Sequence, residues 1–242
     1  MKKRICCLLV FAFATLCASN SAAQTKTIVA FGDSITAPRK NVTTYSDLIR
    51  EEFQKKHSVV RVVNAGVPGD TTAKAKERFE KDVLARDPDL VIIQLGTNDA
   101  AVDVWKKPPA TASRVPIVDY EQNLREFIVK LKRRKAKIIL VTPPPTRWTE
   151  KLKEMYGKPP YNPNDEDGFN VILKTYVQRM RRVASEEDVV LVDLNKEYYK
   201  YHKVKGRTMD DLFLDGMHPN NKGQKLEAEL LLKRIKKLDL GL

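Results

Sequence analysis

The sequence predicts an α/β protein: a single three-layer α/β/α domain around a five-stranded, mostly parallel, doubly wound sheet. Three observations support this fold class. Short runs rich in β-branched residues alternate with longer segments whose apolar residues recur at helical spacing. Several short runs are apolar throughout, as expected for parallel strands covered by helices on both faces. The chain also has no internal repeat, heptad seam or low-complexity linker, so strict alternation favours one layered domain.

The candidate elements follow one another along the chain. Each strand candidate is rich in Val, Ile or Leu and is followed closely by Gly, Pro, Asn or Asp, which favour turns. The predicted strands span residues 27–31, 59–64, 90–95, 137–142 and 189–193. Amphipathic patterns predict helices over residues 45–56, 72–85, 119–134, 168–187 and 221–238.

The first 23 residues have the layout of a secretory signal peptide. Residues 2–4 are basic, residues 5–18 are apolar, and residues 21–23 resemble a small-residue cleavage site. We therefore expect cleavage after Ala23, a mature domain over residues 24–242, and a secreted or periplasmic protein without stable membrane insertion. An uncleaved anchor is one alternative, although the apolar run is shorter than the roughly 20 residues of a spanning helix. Lipidation at Cys17 is another, disfavoured by Leu16 before it.

Cysteine content and charge exclude several classes of function. All three cysteines, at positions 6, 7 and 17, lie in the predicted signal peptide, so the mature domain has no disulfide, thiol nucleophile or cysteine metal site. The formal net charge is +13, and residues 2–4 supply three of these charges. The remaining basic residues are spread over amphipathic segments, frequently beside Asp or Glu. We interpret them as a solvated surface and expect no nucleic-acid partner.

Gly32, Asp33 and Ser34 directly follow the first predicted strand. We expect the strand to end in a glycine turn and lead into a helix, which places the Ser34 hydroxyl at the carboxyl edge of the sheet. Ligands bind at that edge in open α/β sheets, and a helix N-terminus there favours negative charge. Ser34 is therefore a candidate nucleophile. The alternative from these residues alone is that Asp33 or Ser34 caps the next helix.

Three further polar blocks lie at successive strand ends or before the last helix. Gly69 lies in a turn after the second strand, and Asn98 presents an amide after the third. Asp215 precedes His218 by three residues in a loop bounded by Gly and Pro. The other histidines fit this role less well, since His57 lies at a predicted helix end and His202 in a tyrosine-rich helical segment. Together the four blocks predict one site at the carboxyl edge.

In order and spacing, these blocks resemble those of GDSL-type esterases of the SGNH hydrolase family over nearly the whole mature chain. The resemblance implies a flavodoxin-like sandwich and a catalytic triad of Ser34, His218 and Asp215. It also implies an oxyanion hole formed by the Ser34 and Gly69 backbone N–H groups and the Asn98 amide. No metal or cofactor is implied. Such a triad activates a serine that is otherwise a weak nucleophile.

Two long predicted loops, residues 100–118 and 143–167, emerge at the same edge. Loops on a rigid scaffold frequently carry binding residues. Trp148, Tyr156 and Tyr161 in the second loop are therefore candidate substrate-binding residues. The alternative, that they hold the loop in place, is equally consistent with the sequence.

The predicted activity is hydrolysis of carboxylic esters through an acyl-serine intermediate. A secreted enzyme encounters polysaccharide, and the sequence has no hydrophobic lid segment, so we expect acetyl or other short acyl groups on small-molecule or polysaccharide substrates. One alternative is a lipid-directed esterase or lysophospholipase. Another is a non-catalytic secreted glycan-binding protein. The sequence carries no prediction of oligomeric state.

Overall fold

A computed structural model of the protein describes residues 25–56 and 59–240. The predicted signal peptide and His57 lie outside the described residues. Five strands form one sheet in the order β2-β1-β3-β4-β5, and every neighbouring pair is parallel. The strands are β1 Lys26–Gly32, β2 Val60–Gly66, β3 Leu90–Gln94, β4 Lys137–Val141 and β5 Val190–Val192. The predicted doubly wound α/β fold is confirmed.

Eight α-helices and two 3₁₀ helices connect the strands in the described part of the chain. Side chains that accept hydrogen bonds from backbone N–H groups begin several of them, as Thr44 does at α1, Thr71 at α2 and Asn220 at α8. The α-helices are α1 Tyr45–Lys55, α2 Thr72–Asp82, α3 Thr97–Ala100, α4 Ile117–Arg133, α5 Glu150–Tyr156, α6 Leu173–Glu186, α7 Leu194–His202 and α8 Asn221–Ile235. The 3₁₀ helices are Leu84–Arg86 and Met209–Leu212.

Alternating strand residues point into two separate apolar layers. On one face, Phe31 of β1 packs edge-on against Phe79 of α2 and Phe127 of α4, with ring centroids 5.4 and 5.6 Å apart. On the other, Ile28 and Ile92 pack among residues of α1, α7 and α8. Full burial of side chains of this size contributes roughly 1.5–3 kcal/mol each. These two layers complete the predicted α/β/α sandwich.

The structure differs from the sequence prediction directly after Ser34. Residues 34–36 form a turn, and α1 begins only at Tyr45, so the expectation that Ser34 leads into a helix is wrong. The helix begins later because Thr44 and Asp47 form a reciprocal capping box there. The sixth helix also begins at Leu173 rather than at residue 168, and α5 forms within the predicted loop 143–167.

The strand order places a crevice at the carboxyl ends of β1 and β3. The chain moves from β1 outward to β2 and then crosses to β3 on the other side of β1. Helices that leave neighbouring strands toward opposite faces open a crevice between them, where ligands bind in doubly wound sheets. Ser34 follows β1 and Asn98 follows β3, so both lie at this point. Among residues 25–56 and 59–240, no helix has the length and apolar character needed to cross a bilayer.

Candidate active site

The turn after β1 depends on a glycine and a buried carboxylate. A Cβ atom on Gly32 would lie 2.2 Å from Thr36 Oγ1 and 2.7 Å from the Gln94 carbonyl oxygen, so a larger residue would displace the turn. Asp33 is 1 % exposed, and its Oδ1 accepts a hydrogen bond of 2.9 Å from the Ile35 N–H. These contacts hold Ser34 at the carboxyl edge of the sheet with its side chain partly accessible.

Ser34, His218 and Asp215 are joined by consecutive hydrogen bonds. Ser34 Oγ lies 3.0 Å from His218 Nε2, and His218 Nδ1 lies 2.8 Å from Asp215 Oδ2. A carboxylate only accepts hydrogen bonds, so Nδ1 carries the proton and Nε2 accepts from the serine hydroxyl. The loop is held by the His218 backbone N–H, which donates to Asp215 Oδ1 over 2.8 Å.

Asp215 stays ionised in this arrangement. Partial burial alone would raise its pKa, but hydrogen bonds from the His218 ring and backbone, together with the charge of that ring when protonated, outweigh burial. They hold the pKa of Asp215 well below its ordinary value. An ionised Asp215 can orient the imidazole and stabilise it after proton uptake, which is what a serine nucleophile requires of its base.

Three hydrogen-bond donors of the polar blocks, the backbone N–H groups of Ser34 and Gly69 and the side-chain amide of Asn98, are available to a ligand. Within residues 25–56 and 59–240, neither the Ser34 nor the Gly69 backbone N–H donates to a protein acceptor. Gly69 has φ of +79°, a conformation that favours glycine. Asn98 Nδ2 donates one bond, to Asp33 Oδ2 over 3.3 Å, and has a second hydrogen free. Such donors can stabilise an oxyanion.

Two buried aspartates connect the polar blocks to one another. Asp33 accepts from Asn98 and so joins the β1 and β3 turns. Asp99 accepts from the Thr72 backbone N–H and hydroxyl, over 2.9 and 2.5 Å, and so joins the β3 turn to the start of α2. Burial raises the pKa of Asp33 to about 7 and that of Asp99 to about 6.

Arg78 on α2 holds the ends of β1 and β2 together, a role the sequence does not reveal. Its guanidinium donates to the carbonyl oxygens of Gly32 and Ala65 over 3.1 and 2.9 Å, and to Asp70 Oδ2 over 2.6 Å. It also lies 4.6 Å from the centre of the Phe31 ring. Arg78 therefore supports both the Ser34 and the Gly69 turns from below.

Arg114 holds the Asn98 side chain in a similar way. Its Nη1 donates to Asn98 Oδ1 over 3.0 Å, while Nε and Nη2 donate to the carboxylate of Asp103 over 3.0 and 2.7 Å. The Asp103 side chain is only 4 % exposed. With the carbonyl oxygen of Asn98 fixed by Arg114, its amide nitrogen faces the Asp33 side of the site. Sequence reasoning missed this residue because no local pattern marks it.

The three candidate substrate-binding aromatics pack together with Phe169. Trp148 stacks on the Phe169 ring with centroids 4.4 Å apart, and its indole N–H donates to the Asp165 carbonyl oxygen. Tyr156 and Tyr161 are 5 % and 6 % exposed, and the Tyr161 hydroxyl accepts from the Val102 N–H. The contacts of Trp148 are therefore those of a residue that holds its loop in place. Both tyrosines, in contrast, also line a cavity next to Asn98.

Two cavities of very different size adjoin the site. The first is small, about 40 Å³, and mostly apolar; we call it the inner cavity, and its lining includes Asn98, Thr146, Tyr156, Phe169 and Met217. The second, the outer groove, is an open depression of about 550 Å³. Its lining residues are Gly69, Thr71, Lys74, Asp103, Trp105, Lys106 and Arg114. Arg114 contributes to both.

No group of three or more His, Cys, Asp or Glu side chains in the described part of the chain is arranged to hold a metal ion. The polar side chains of the site are instead engaged with one another. The serine, the imidazole and the surrounding hydrogen-bond donors are the reactive and polar groups that this geometry brings together.

Known proteins are similar to this chain in sequence and in fold. Acetylxylan esterase of Geobacillus stearothermophilus is 28% identical over 179 residues, covering 73% of this chain and 72% of that protein. The crystal structure of an acetylxylan esterase from the same organism superposes with a TM-score of 0.69 at 26% identity, covering 87% of this chain and 94% of that one. Thioesterase 1/protease 1/lysophospholipase L1 of Escherichia coli K12 is 28% identical over 220 residues, covering 90% of this chain and 86% of that protein.

A family model decides the assignment. The model of the GDSL-like lipase/acylhydrolase family matches residues 30–226, which include all four polar blocks. The resemblance stated from the sequence is thereby confirmed. The chain belongs to the GDSL-like lipase/acylhydrolase family and is a carboxylic ester hydrolase.

Proposed function

We propose that this protein is a secreted serine esterase that removes acetyl or other short acyl groups from carbohydrate. The observation that carries the proposal is the hydrogen-bonded chain Ser34–His218–Asp215, together with an inner cavity of about 40 Å³ lined by Asn98 and Met217. Ser34 is the nucleophile, His218 the general base and acid, and Asp215 the residue that orients the imidazole.

The proposed reaction has two acyl-transfer steps. Ser34 Oγ attacks the ester carbonyl carbon as its proton passes to His218 Nε2. The negative charge on the carbonyl oxygen is stabilised by the N–H groups of Ser34 and Gly69 and by the Asn98 amide, each worth roughly 3 kcal/mol. Collapse releases the alcohol, which takes the proton from His218. Water, activated by the same histidine, then hydrolyses the acyl-serine.

The volume of the inner cavity supports a short acyl group. A bound water occupies roughly 10–15 Å³ of such a cavity. The inner cavity, at about 40 Å³, therefore has room for a group of about three non-hydrogen atoms, the size of an acetyl group. Its lining by Tyr156, Tyr161 and Phe169 supports a binding role for the two tyrosines on the acyl side.

The alcohol part of the substrate is proposed to be a sugar. The outer groove is wide, open and partly charged, which suits a hydroxylated ring better than a lipid tail. The similarity to two proteins named acetylxylan esterase points the same way. A lipid-directed activity is the second candidate, favoured by the similarity to the Escherichia coli protein whose name includes lysophospholipase.

Secretion is part of the proposal and is supported by the layout of residues 1–23. Their basic, apolar and small-residue sections precede a domain that has no cysteine. Intact-mass measurement of the protein recovered outside the cytoplasm of a bacterial host is expected to show cleavage after Ala23. A mass that retains those residues would contradict it.

The test of the activity is an ester panel with a nucleophile variant. We expect the wild type to hydrolyse p-nitrophenyl acetate and acetylated xylo-oligosaccharides, with kcat/KM falling steeply from acetyl to octanoyl esters. Ser34→Ala is expected to lower kcat by at least about 10³-fold, with an unchanged circular dichroism spectrum. A preference for long acyl chains or lysophospholipids would overturn the short-acyl assignment. Glycan binding without hydrolysis by the wild type would overturn catalysis altogether.

A further inference from the structure

The outer groove begins at the oxyanion donors and continues away from them. Gly69, one of the proposed donors, lies in its lining, and Arg114 connects it to Asn98. A substrate whose ester carbonyl occupies the donor site, with its acyl group in the inner cavity, must place its alcohol portion elsewhere. The outer groove is the adjoining depression with the volume to take a sugar ring.

Trp105 provides an exposed aromatic surface in this groove. Its side chain is 45 % exposed, in contrast to Trp148, which stacks on Phe169 and uses its N–H within the fold. Trp105 makes no ring stack or hydrogen bond within residues 25–56 and 59–240; the nearby group is the Lys106 ammonium, 5.7 Å from the ring centre. A large exposed aromatic beside a candidate active site offers an apolar face on which a sugar ring can pack.

The outer groove carries a net positive charge. Arg114 and Lys106 share one carboxylate, that of Asp103, over 2.7 and 2.8 Å. Lys74, exposed in the first turn of α2, has no ion-pair or hydrogen-bond partner for its ammonium in the described part of the chain. Three cations and one anion thus line a depression that also presents an indole face, so a ligand with both a ring and a negative charge complements it.

We propose that the outer groove is a subsite for a uronate: the sugar ring of the acylated residue or its neighbour packs on Trp105, and its carboxylate pairs with Lys74. This inference rests on the proposed function, because it names the class of carbohydrate esterified. In a uronate the carboxylate is bonded directly to a ring carbon, so a lysine ammonium beside the indole that packs on the ring can reach it. The groove therefore selects acidic over neutral acetylated glycans.

The test uses two substrates that differ only at the carboxyl group. Methyl 3-O-acetyl glucuronoside carries the free carboxylate, and the corresponding uronamide is neutral, similar in size and free of a second ester. The wild type is expected to favour the charged substrate by about tenfold in kcat/KM, the effect of one charge-assisted contact, and the ratio should fall as NaCl is raised. Lys74→Gln should bring the ratio close to one.

A matched variant controls for the loss of one charge. Lys81 is an exposed lysine on the same helix, outside the groove, and Lys81→Gln should keep the wild-type ratio. Trp105→Ala is expected to lower kcat/KM for both sugars several-fold while the ratio between them persists. Circular dichroism and thermal unfolding of each variant establish that it is folded.

The outcomes separate this subsite from the proposed function. Equal rates for the charged and neutral sugars, or an unchanged ratio in Lys74→Gln, would overturn the subsite and leave the acetylesterase proposal standing. Hydrolysis of p-nitrophenyl acetate but of neither sugar would overturn both. Faster hydrolysis of lysophosphatidylglycerol than of either sugar, lost in Lys74→Gln, would assign the groove to a lipid headgroup and so reject the uronate.

Discussion

Asn98 illustrates how single side chains in this site are held from two directions. Its amide nitrogen donates to Asp33 over 3.3 Å, and its carbonyl oxygen accepts from Arg114 over 3.0 Å. An amide held at both ends needs little reorganisation when charge develops on a bound ester, and preorganisation of this kind is the main source of electrostatic catalysis. Arg114 is in turn fixed by Asp103. We therefore regard Arg114 as a positioning residue for Asn98.

Replacement of Arg114 by Gln tests this positioning role. We expect kcat for p-nitrophenyl acetate to fall by about tenfold with little change in KM, because the Asn98 donor is lost mainly from the transition state. Arg114→Lys keeps the charge beside Asp103 but cannot donate in a fork to both partners. The thermal stability of Arg114→Lys should therefore be close to that of the wild type, whereas its kcat should stay as low as that of Arg114→Gln. Unchanged kcat in Arg114→Gln would reject the role.

At the scale of elements, the active-site turns are supported by the helices beneath them. Arg78 reaches from α2 to the last residues of β1 and β2 and to Asp70. The segment after β4 supports the opposite side, since the Arg147 backbone N–H donates to the Gly216 carbonyl oxygen over 2.7 Å, between Asp215 and His218. The turns are thus held by connections between elements that lie far apart in the sequence.

Loss of Arg78 should destabilise the protein. Arg78→Gln leaves the Asp70 carboxylate, 8 % exposed, without its guanidinium partner, and an unpaired charge of this kind costs on the order of 3 kcal/mol. Urea denaturation measures the free energy of unfolding. Lys76→Gln is the control on the same helix, because the Lys76–Glu126 pair is exposed and is worth at most about 1 kcal/mol. Equal losses in the two variants would contradict the prediction.

At the scale of the whole molecule, three buried carboxyl groups lie behind the site. Burial raises the pKa of Asp33 to about 7, of Asp99 to about 6 and of Glu227 to about 8. Carboxyl groups in the unfolded chain titrate near pH 4. Between about pH 4 and 8 the folded protein therefore retains protons that the unfolded chain has released. These three groups therefore lower the free energy of unfolding as pH rises through this window.

Glu227 on α8 is expected to make a large contribution to that fall. Its side chain is fully buried, and the interaction with the Gln94 side chain offsets only part of the effect of burial on its pKa. Glu227→Gln is uncharged at every pH, so its stability should fall less between pH 5 and 8.5 than that of the wild type, by on the order of a few kcal/mol. Glu229→Gln, an exposed position on the same helix, should retain the wild-type slope. Urea denaturation at pH 5, 7 and 8.5 measures these slopes, and a wild-type slope in Glu227→Gln would contradict the assignment.

Sequence reasoning succeeded where a function is marked by neighbouring residues. Ser34, Gly69 and Asn98 follow strand ends, and Asp215 and His218 are three residues apart, so local patterns pointed to all of them. The structure brings Ser34, His218 and Asp215 together; their catalytic roles stay predictions. Arg78 and Arg114 could not be found, because their partners are 46 and 16 residues away and no periodicity marks a guanidinium that turns inward. Glu227 also escaped prediction, since a charged residue on a helix is ordinarily exposed.

By itself, the sequence determined the layered α/β fold, the family and the set of polar blocks. Hydrophobic periodicity and turn residues act locally, so they can be recognised from the sequence alone. Only the tertiary structure decided that residues 34–36 form a turn rather than a helix start, and that Trp148 stacks within its loop. It alone decided that Trp105 is exposed and lines the same groove as Lys74. Distances, cavities and burial arise from packing between distant segments, and no local pattern encodes them.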